Sequence, residues 1–235
     1  MGQYLHLYET EAQFNTDYNG EKYNEPWVSY TTDIERVDYN KSKYVDLGLS
    51  SGTLWATCNL GASSPEQYGD YYAWGEIAPK ETTAYTKEGY RFYPGNQGEY
   101  TKYNSTDNKM TLGLTDDVAN VVMGGDWHMP SRAQFNELTA NTTSAWTTDY
   151  EGTGVAGVVF TSNINGNSIF FPAAGGVFDG SAGGQGVDFR VWSSSRNSGS
   201  GSAGLLGGGS GYMYMYYDYR YYGQSVRGVL GELNE

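Results

Sequence analysis

Two adjoining stretches near the C-terminus limit what this chain can fold into more than any other feature. GSGSAGLLGGGSG, residues 199 to 211, holds seven glycines in thirteen residues, and GYMYMYYDYRYYG, residues 211 to 223, holds seven tyrosines in thirteen. Glycine has no side chain to bury and loses the most conformational freedom on folding. Tyrosine brings a large ring whose hydroxyl needs a partner wherever it is buried. Neither composition fills an ordinary core. Met213 and Met215 alternate with Tyr212, Tyr214 and Tyr216, and successive side chains of a strand point to opposite faces. The alternation predicts a strand from Met213 to Tyr217 with its methionines toward a core and its tyrosines on display.

Such a strand reads as a recognition surface. Tyrosine offers broad, rigid, amphipathic contact area at low entropic cost, and Ser, Gly and Asn add adaptable polar contacts, the composition of an antibody paratope. The candidate contact residues are Tyr212, Tyr214, Tyr216, Tyr217, Asp218, Tyr219, Tyr221 and Tyr222, supported by Asn197 and by Asp188 and Arg190 from the preceding turn. A sheet of tyrosines bonded to their neighbours is the plainer alternative, disfavoured because the adjacent glycines would leave it poorly packed. Gly207, Gly208 and Gly209 read equally well as a flexible loop.

The rest of the chain narrows the function by exclusion. Aromatic residues make up 16% of its 235 positions and charged residues only 17%, a balance that favours strands and turns over helical bundles. A net charge of −13 opposes binding to nucleic acid, whose phosphates reward a basic face, and to anionic membranes. Cys58 is the sole cysteine, so no intrachain disulfide or cysteine metal cluster can form, and it is expected to be a small buried residue. The opening MGQYLHLYETEAQF has no basic and then apolar segment, so no secretory signal is read, and no apolar run is long enough to cross a bilayer.

Enzymatic and metal-binding readings find little support. The serines of WSSSR, from Trp192, lack a GxSxG elbow, and His6 and His128 are the only possible imidazole bases. No catalytic residue, metal or cofactor is therefore expected. The glycines are not followed by the Lys-Ser/Thr pair of a phosphate loop.

Residues 1–40 are polar and tyrosine-rich, with an EPW turn at Glu25 to Trp27 and a short strand at Trp27 to Tyr30, and read as an attachment segment. Residues 41–235 read as one α+β domain. KYVDLGL and TLWATCNL alternate with period two and form a hairpin. Ser64 and Gln67 form a capping box for a helical turn or two before Gly69. A second helix starts at Thr115, with Val118, Val121 and Val122 as its apolar stripe, and a third at Ser131, whose capping box closes on Gln134 and whose Phe135 and Leu138 face inward. Asn165-Gly166 marks a hairpin between VAGVVF and SIFFPAAG. Strands follow at Val191 to Ser195 and in QSVRGVL.

YVDLGLSSGTLWATCNLGASSPEQYGDYYAWGE, DWHMPSRAQFNEL, FFPAAG, VWSSS and GQSVRGV stand in an order and spacing that resemble the major paralogous domain first noted in Fibrobacter succinogenes. The chain is also similar to the variable proteins of diversity-generating retroelements of Bacteroidetes and their phages. The resemblance spans about Tyr44 to Leu230 and implies a C-type lectin fold of the formylglycine-generating-enzyme-like subclass, with an irregular antiparallel sheet and two or three short helices. It places Trp55, Trp74, Trp127 and Trp192 in the core. It also implies a variable region near residues 188–222, in which Ala203, Leu206, Met213, Met215 and Arg220 look fixed. The calcium-site motifs EPN and WND of sugar-binding relatives are absent, and one cysteine cannot supply formylglycine-generating chemistry. The implied function is ligand binding without catalysis. The ligand would be a bacterial surface protein or glycan, met from a phage tail or a cell surface, with residues 1–40 docking to other virion or fibre subunits. The alternative is a structural subunit of a fibre or pilus tip.

Overall fold

The computed structural model describes residues 44–95, 99–199 and 201–232. The expected attachment segment, residues 1–40, with the turn expected at Glu25 to Trp27, the strand expected at Trp27 to Tyr30 and His6, lies outside the described residues. Among the described residues the architecture is mostly antiparallel sheet with two short helices.

Strands β1 (Tyr44–Asp46) and β2 (Leu54–Ala56) form the expected hairpin, and β11 (Val229–Leu230) pairs with the other edge of β2. Because β2 is central, its alternation does not separate buried from exposed: Trp55 and Ala56 are buried, and Leu54 is half-buried. Strands β3 (Thr142–Thr147), β4 (Gly157–Ser162) and β5 (Ser168–Pro172) make a second sheet whose β4–β5 turn contains Asn165-Gly166. Strands β6 (Gly176–Phe178) and β7 (Ser181–Gly183) form a short hairpin. The third sheet has the order β10-β9-β8, from β8 (Asp188–Arg196), β9 (Ser202–Gly209) and β10 (Tyr212–Tyr219).

That third sheet divides the core. Opposed residues of an antiparallel pair share a face, and Trp192 opposes Leu205, which opposes Tyr216. These three pack into one apolar cluster with Trp74, Tyr90 and Tyr103. On the other face Val191, Leu206 and Met215 join a second cluster with Trp55, Phe135 and Phe171. Two motif tryptophans tie the first cluster together: Trp74 Nε1 donates to the Ser193 carbonyl at 2.8 Å and Trp192 Nε1 to the Tyr72 carbonyl at 2.8 Å. All four expected core tryptophans are fully buried.

Helix α1 (Val118–Met123) and helix α2 (Arg132–Asn141) differ in how well local sequence foretells them. In α2 the Ser131–Gln134 capping box is present, and Phe135 and Leu138 are buried against Trp55 and its neighbours. In α1 the cap is Asp117 rather than Thr115: its Oδ1 accepts from the amides of Ala119 and Asn120, and its Oδ2 from Met129 N at 2.8 Å. The helix starts later than expected, and Val121 and Val122 are exposed while Val118 is buried, correcting the expected stripe. The Ser64 box is also corrected, because residues 64–67 form turns and Gln67 Oε1 accepts instead from Ser63 N at 2.8 Å.

Two arginines, Arg220 and Arg227, are fully buried. Arg227 donates to Asn59 Oδ1 and to the carbonyls of Ala56 and Phe170, and burial pushes its pKa down to about 9. Arg220 sits directly after β10. Its Nε donates to the Tyr90 hydroxyl at 3.0 Å, and its terminal nitrogens donate to the Tyr103 and Lys102 carbonyls at 3.1 Å. The rings of Trp74, Tyr100 and Phe92 surround it, 4.7 to 5.7 Å from the guanidinium carbon. This cage pins the end of the tyrosine strand to the core.

Candidate functional site

The glycine stretch is a strand. Gly207, Gly208 and Gly209 are buried within β9, so the flexible-loop alternative is corrected. A two-residue turn, Ser210-Gly211 with Gly211 at φ +93°, connects β9 directly to β10, and all eight residues of β10 pair with β9 without interruption. The reason for glycine is close approach. A methyl group on Gly207 would lie 2.7 Å from Cε1 of Tyr216, and one on Gly209 would lie 3.0 Å from Cε1 of Tyr212. The bare backbone is a bed on which the rings lie. The expectation that neighbouring glycines would leave a tyrosine sheet poorly packed is therefore reversed.

The tyrosines of β10 fall on both faces of an edge strand. Tyr212, Tyr214, Tyr217 and Tyr219 are 48%, 55%, 41% and 53% exposed. Tyr212 and Tyr214 share the face of Gly209 and Gly207, whereas Tyr217 and Tyr219 lie on the opposite face. Met213 and Met215 pack against the second cluster as expected. The display side is thus not one face, because an edge strand leaves both of its faces near solvent. Consecutive rings are in contact, with Tyr212–Tyr214 centroids at 5.9 Å and Tyr214–Tyr216 at 5.3 Å. Tyr217 is held by α2, whose Arg132 lies 5.0 Å from its ring centre and donates to its hydroxyl.

Several candidate residues support the surface rather than form it. Tyr221 is only 8% exposed and belongs to the first core cluster, which corrects its assignment as a contact. It leaves the strand after Arg220, stacks on Tyr219 at 5.3 Å, and burial with the charge of Asp179 pushes its hydroxyl up to about 12. Tyr216 is half-buried, and desolvation raises its pKa against the pull of Arg190. Tyr222 is half-buried and donates to Asp179 Oδ2 at 3.0 Å.

Asp188 is buried and therefore also corrected as a contact. Its Oδ2 accepts from Arg190 Nη2 at 2.9 Å, and Arg190 Nη1 reaches Asp218 Oδ2 at 3.4 Å. Burial opposes the Arg190 charge, but hydrogen bonding to Asp188 and the nearby acidic groups outweigh it and raise its pKa. Burial raises the Asp218 pKa. Arg190 thus ties β8 to β10 across the glycine strand. Asn197 stands at the other end of β9, where its Nδ2 donates to Ser202 Oγ at 3.3 Å, opposite Tyr219.

Three surface residues lie outside the candidate set. Val187 is 65% exposed, and its carbonyl oxygen borders Gly209 beside the Tyr212 ring. Phe178 and Asp179 sit at the tip of the β6–β7 hairpin, Phe178 packing edge-on against Tyr222 at 5.2 Å and flat under Arg190 at 4.8 Å. The Asp179-Gly180 pair, with both residues at positive φ, is the hairpin signal that could have found them.

Other chemistry has little to work with. Ser193 Oγ donates to the Gly204 carbonyl at 2.8 Å, and both His128 ring nitrogens face backbone carbonyls, of Met129 and Gly231. Among the described residues no group of three or more His, Cys, Asp or Glu side chains is placed to hold a metal ion, and no helix is long and apolar enough to cross a membrane. No protein-family model, curated protein or solved structure gives a significant match to the chain.

Proposed function

We propose that the chain is a non-enzymatic ligand-binding protein whose contact surface is the β9–β10 hairpin. The observation that carries this reading is the placement of four exposed tyrosines on one edge strand that pairs along its whole length with the glycine-rich β9 and is anchored at its end by a buried arginine. Rings held by packing on backbone lose little further freedom when a ligand covers them, which favours affinity. Together with the sequence resemblance, this supports a C-type-lectin-fold variable protein of a diversity-generating retroelement. It would act in phage receptor binding or host-surface adhesion, with a bacterial surface protein or glycan as ligand.

The division of labour within the sheet suits diversification. Tyr212, Tyr214, Tyr217 and Tyr219 change surface chemistry without opening the core, while Leu205, Leu206, Met215 and Arg220 hold the frame. The test is binding of the purified chain to a panel of gut Bacteroidetes cells. The double substitution Tyr214→Ala and Tyr219→Ala is expected to weaken binding by about 30-fold or more, since even one tyrosine anchor at an interface centre carries on the order of 2 kcal/mol. Unchanged cell binding by a folded double variant would overturn the reading. In the neighbouring DNA, the reading expects a near-copy of the segment encoding residues 188–222 beside a reverse transcriptase, differing at adenines.

A further inference from the structure

The two edges of the β10-β9-β8 sheet are treated differently. Along the outer edge of β8 the ladder is continued by other parts of the chain: Ser225 N donates to the Arg190 carbonyl, Trp192 N to Ser225, Ser194 N to Pro130 and Arg196 N to Met110. Along β10, β9 is the only strand neighbour among the described residues. The pairing fixes which groups point outward. Tyr212 flanks the two-residue turn, and Arg220 N donates inward to Gly201, so even-numbered residues bond to β9 and odd-numbered residues turn their N–H and C=O away. Tyr219 is closed locally, its N–H by Asp218 Oδ1 at 2.9 Å and its carbonyl by Tyr222 N at 3.0 Å. The open stretch is therefore Met213, Met215 and Tyr217. Exposed edges are normally blunted by lysine, proline or a bulge, and β10 has none of these.

We propose that this edge binds an extended segment of a protein ligand as a fourth, added strand, and that the segment carries a lysine or arginine. The backbone groups of residues 213 to 217 give the pairing, and the flanking tyrosines on both faces select side chains, as in other strand-addition complexes. The basic residue follows from charge complementarity. The chain carries −13 overall, and beside the strand the carboxylates of Asp179, Asp188 and Asp218 outnumber the guanidinium groups of Arg190 and Arg132 three to two. An anionic partner would meet like charge there. This inference rests on the ligand-binding reading of β10 and narrows it from protein or glycan to protein.

The test uses the full chain and short peptides selected against it from a displayed library. Hydrogen exchange at the Met213, Met215 and Tyr217 amides is expected to slow on peptide binding. N-methylation of the peptide backbone at alternate residues of one parity should weaken binding about tenfold per site, with the other parity tolerated. Replacing the peptide's lysine or arginine by glutamine should also weaken it. Failure to select any peptide, or binding with neither amide protection nor parity dependence, overturns the proposal. If such a peptide still loses binding to the Tyr214→Ala variant, the tyrosine surface stands and only strand addition falls. If it is indifferent to that variant, both fall. Protection of the three amides in the free chain also overturns it, concentration-independent protection meaning cover by the chain itself and concentration-dependent protection meaning self-pairing.

Discussion

Tyrosine is used in two opposite ways in this molecule, in the cage around Arg220 and along β10. In the cage every ring is buried, and the hydroxyls of Tyr90 and Tyr103 are spent inside: Tyr90 donates to the Trp74 carbonyl at 2.7 Å and Tyr103 to Asp116 Oδ2 at 2.6 Å. Along β10 no described residue bonds the hydroxyls of Tyr212, Tyr214 or Tyr219, and the rings touch chiefly one another and bare backbone. The difference teaches that tyrosine content alone does not decide between frame and surface. What decides is whether the core encloses the ring, as in the cage, or leaves it on an open edge: Tyr217 has a hydroxyl partner and a cation in Arg132 and is still exposed.

Substitutions should widen this contrast from the cage outward. Arg220→Ala leaves aromatic rings around an emptied site and frees the carbonyls of Lys102 and Tyr103, so denaturant unfolding should show a loss of about 4 kcal/mol. A loss as small as that of a surface substitution would break the comparison. Trp192→Ala, on the sheet face that meets the cage, should cost a similar amount. Gly207→Ala should cost about 2 kcal/mol, because its methyl group would collide with Tyr216 and shift the ring row. A neutral Gly207→Ala would show that the rings do not need the glycine bed.

Tyr214→Ala should change stability by less than about 1 kcal/mol, in contrast to its expected effect on binding. The smallest effect is expected in acid. Burial works against ionised Asp116, but Lys102, Tyr103 and Arg91 outweigh it and lower its pKa. Its contribution is therefore present above the ordinary carboxylate range and is lost as pH falls through the lowered value. Melting curves across that range should show the loss, reduced in Asp116→Asn.

Much of the local structure was legible in the sequence because local interactions decide it. The capping box at Ser131, the Asn165-Gly166 hairpin and the strand alternation at Met213 each depend on residues a few positions apart. The glycine strand was not legible, since its meaning comes from register: Gly207 reads as a loop until Tyr214 is set opposite it and Tyr216 leans across it. The burial of Arg220 and Arg227 depends on carbonyls more than 100 residues away in several cases, such as Tyr103 and Ala56, which no local pattern reveals. Tyr221 looked like its neighbours in composition. It is buried because the chain turns inward at Arg220.

The central claim is that β10 carries an interchangeable surface on a frame that does not depend on it. A library with Tyr212, Tyr214, Tyr217 and Tyr219 randomised among Tyr, Ser, Gly, Asn and Asp tests this directly through the unfolding midpoints of its members. The account predicts that most members unfold cooperatively near the parent midpoint, whereas loss of folding across most of the library would contradict it.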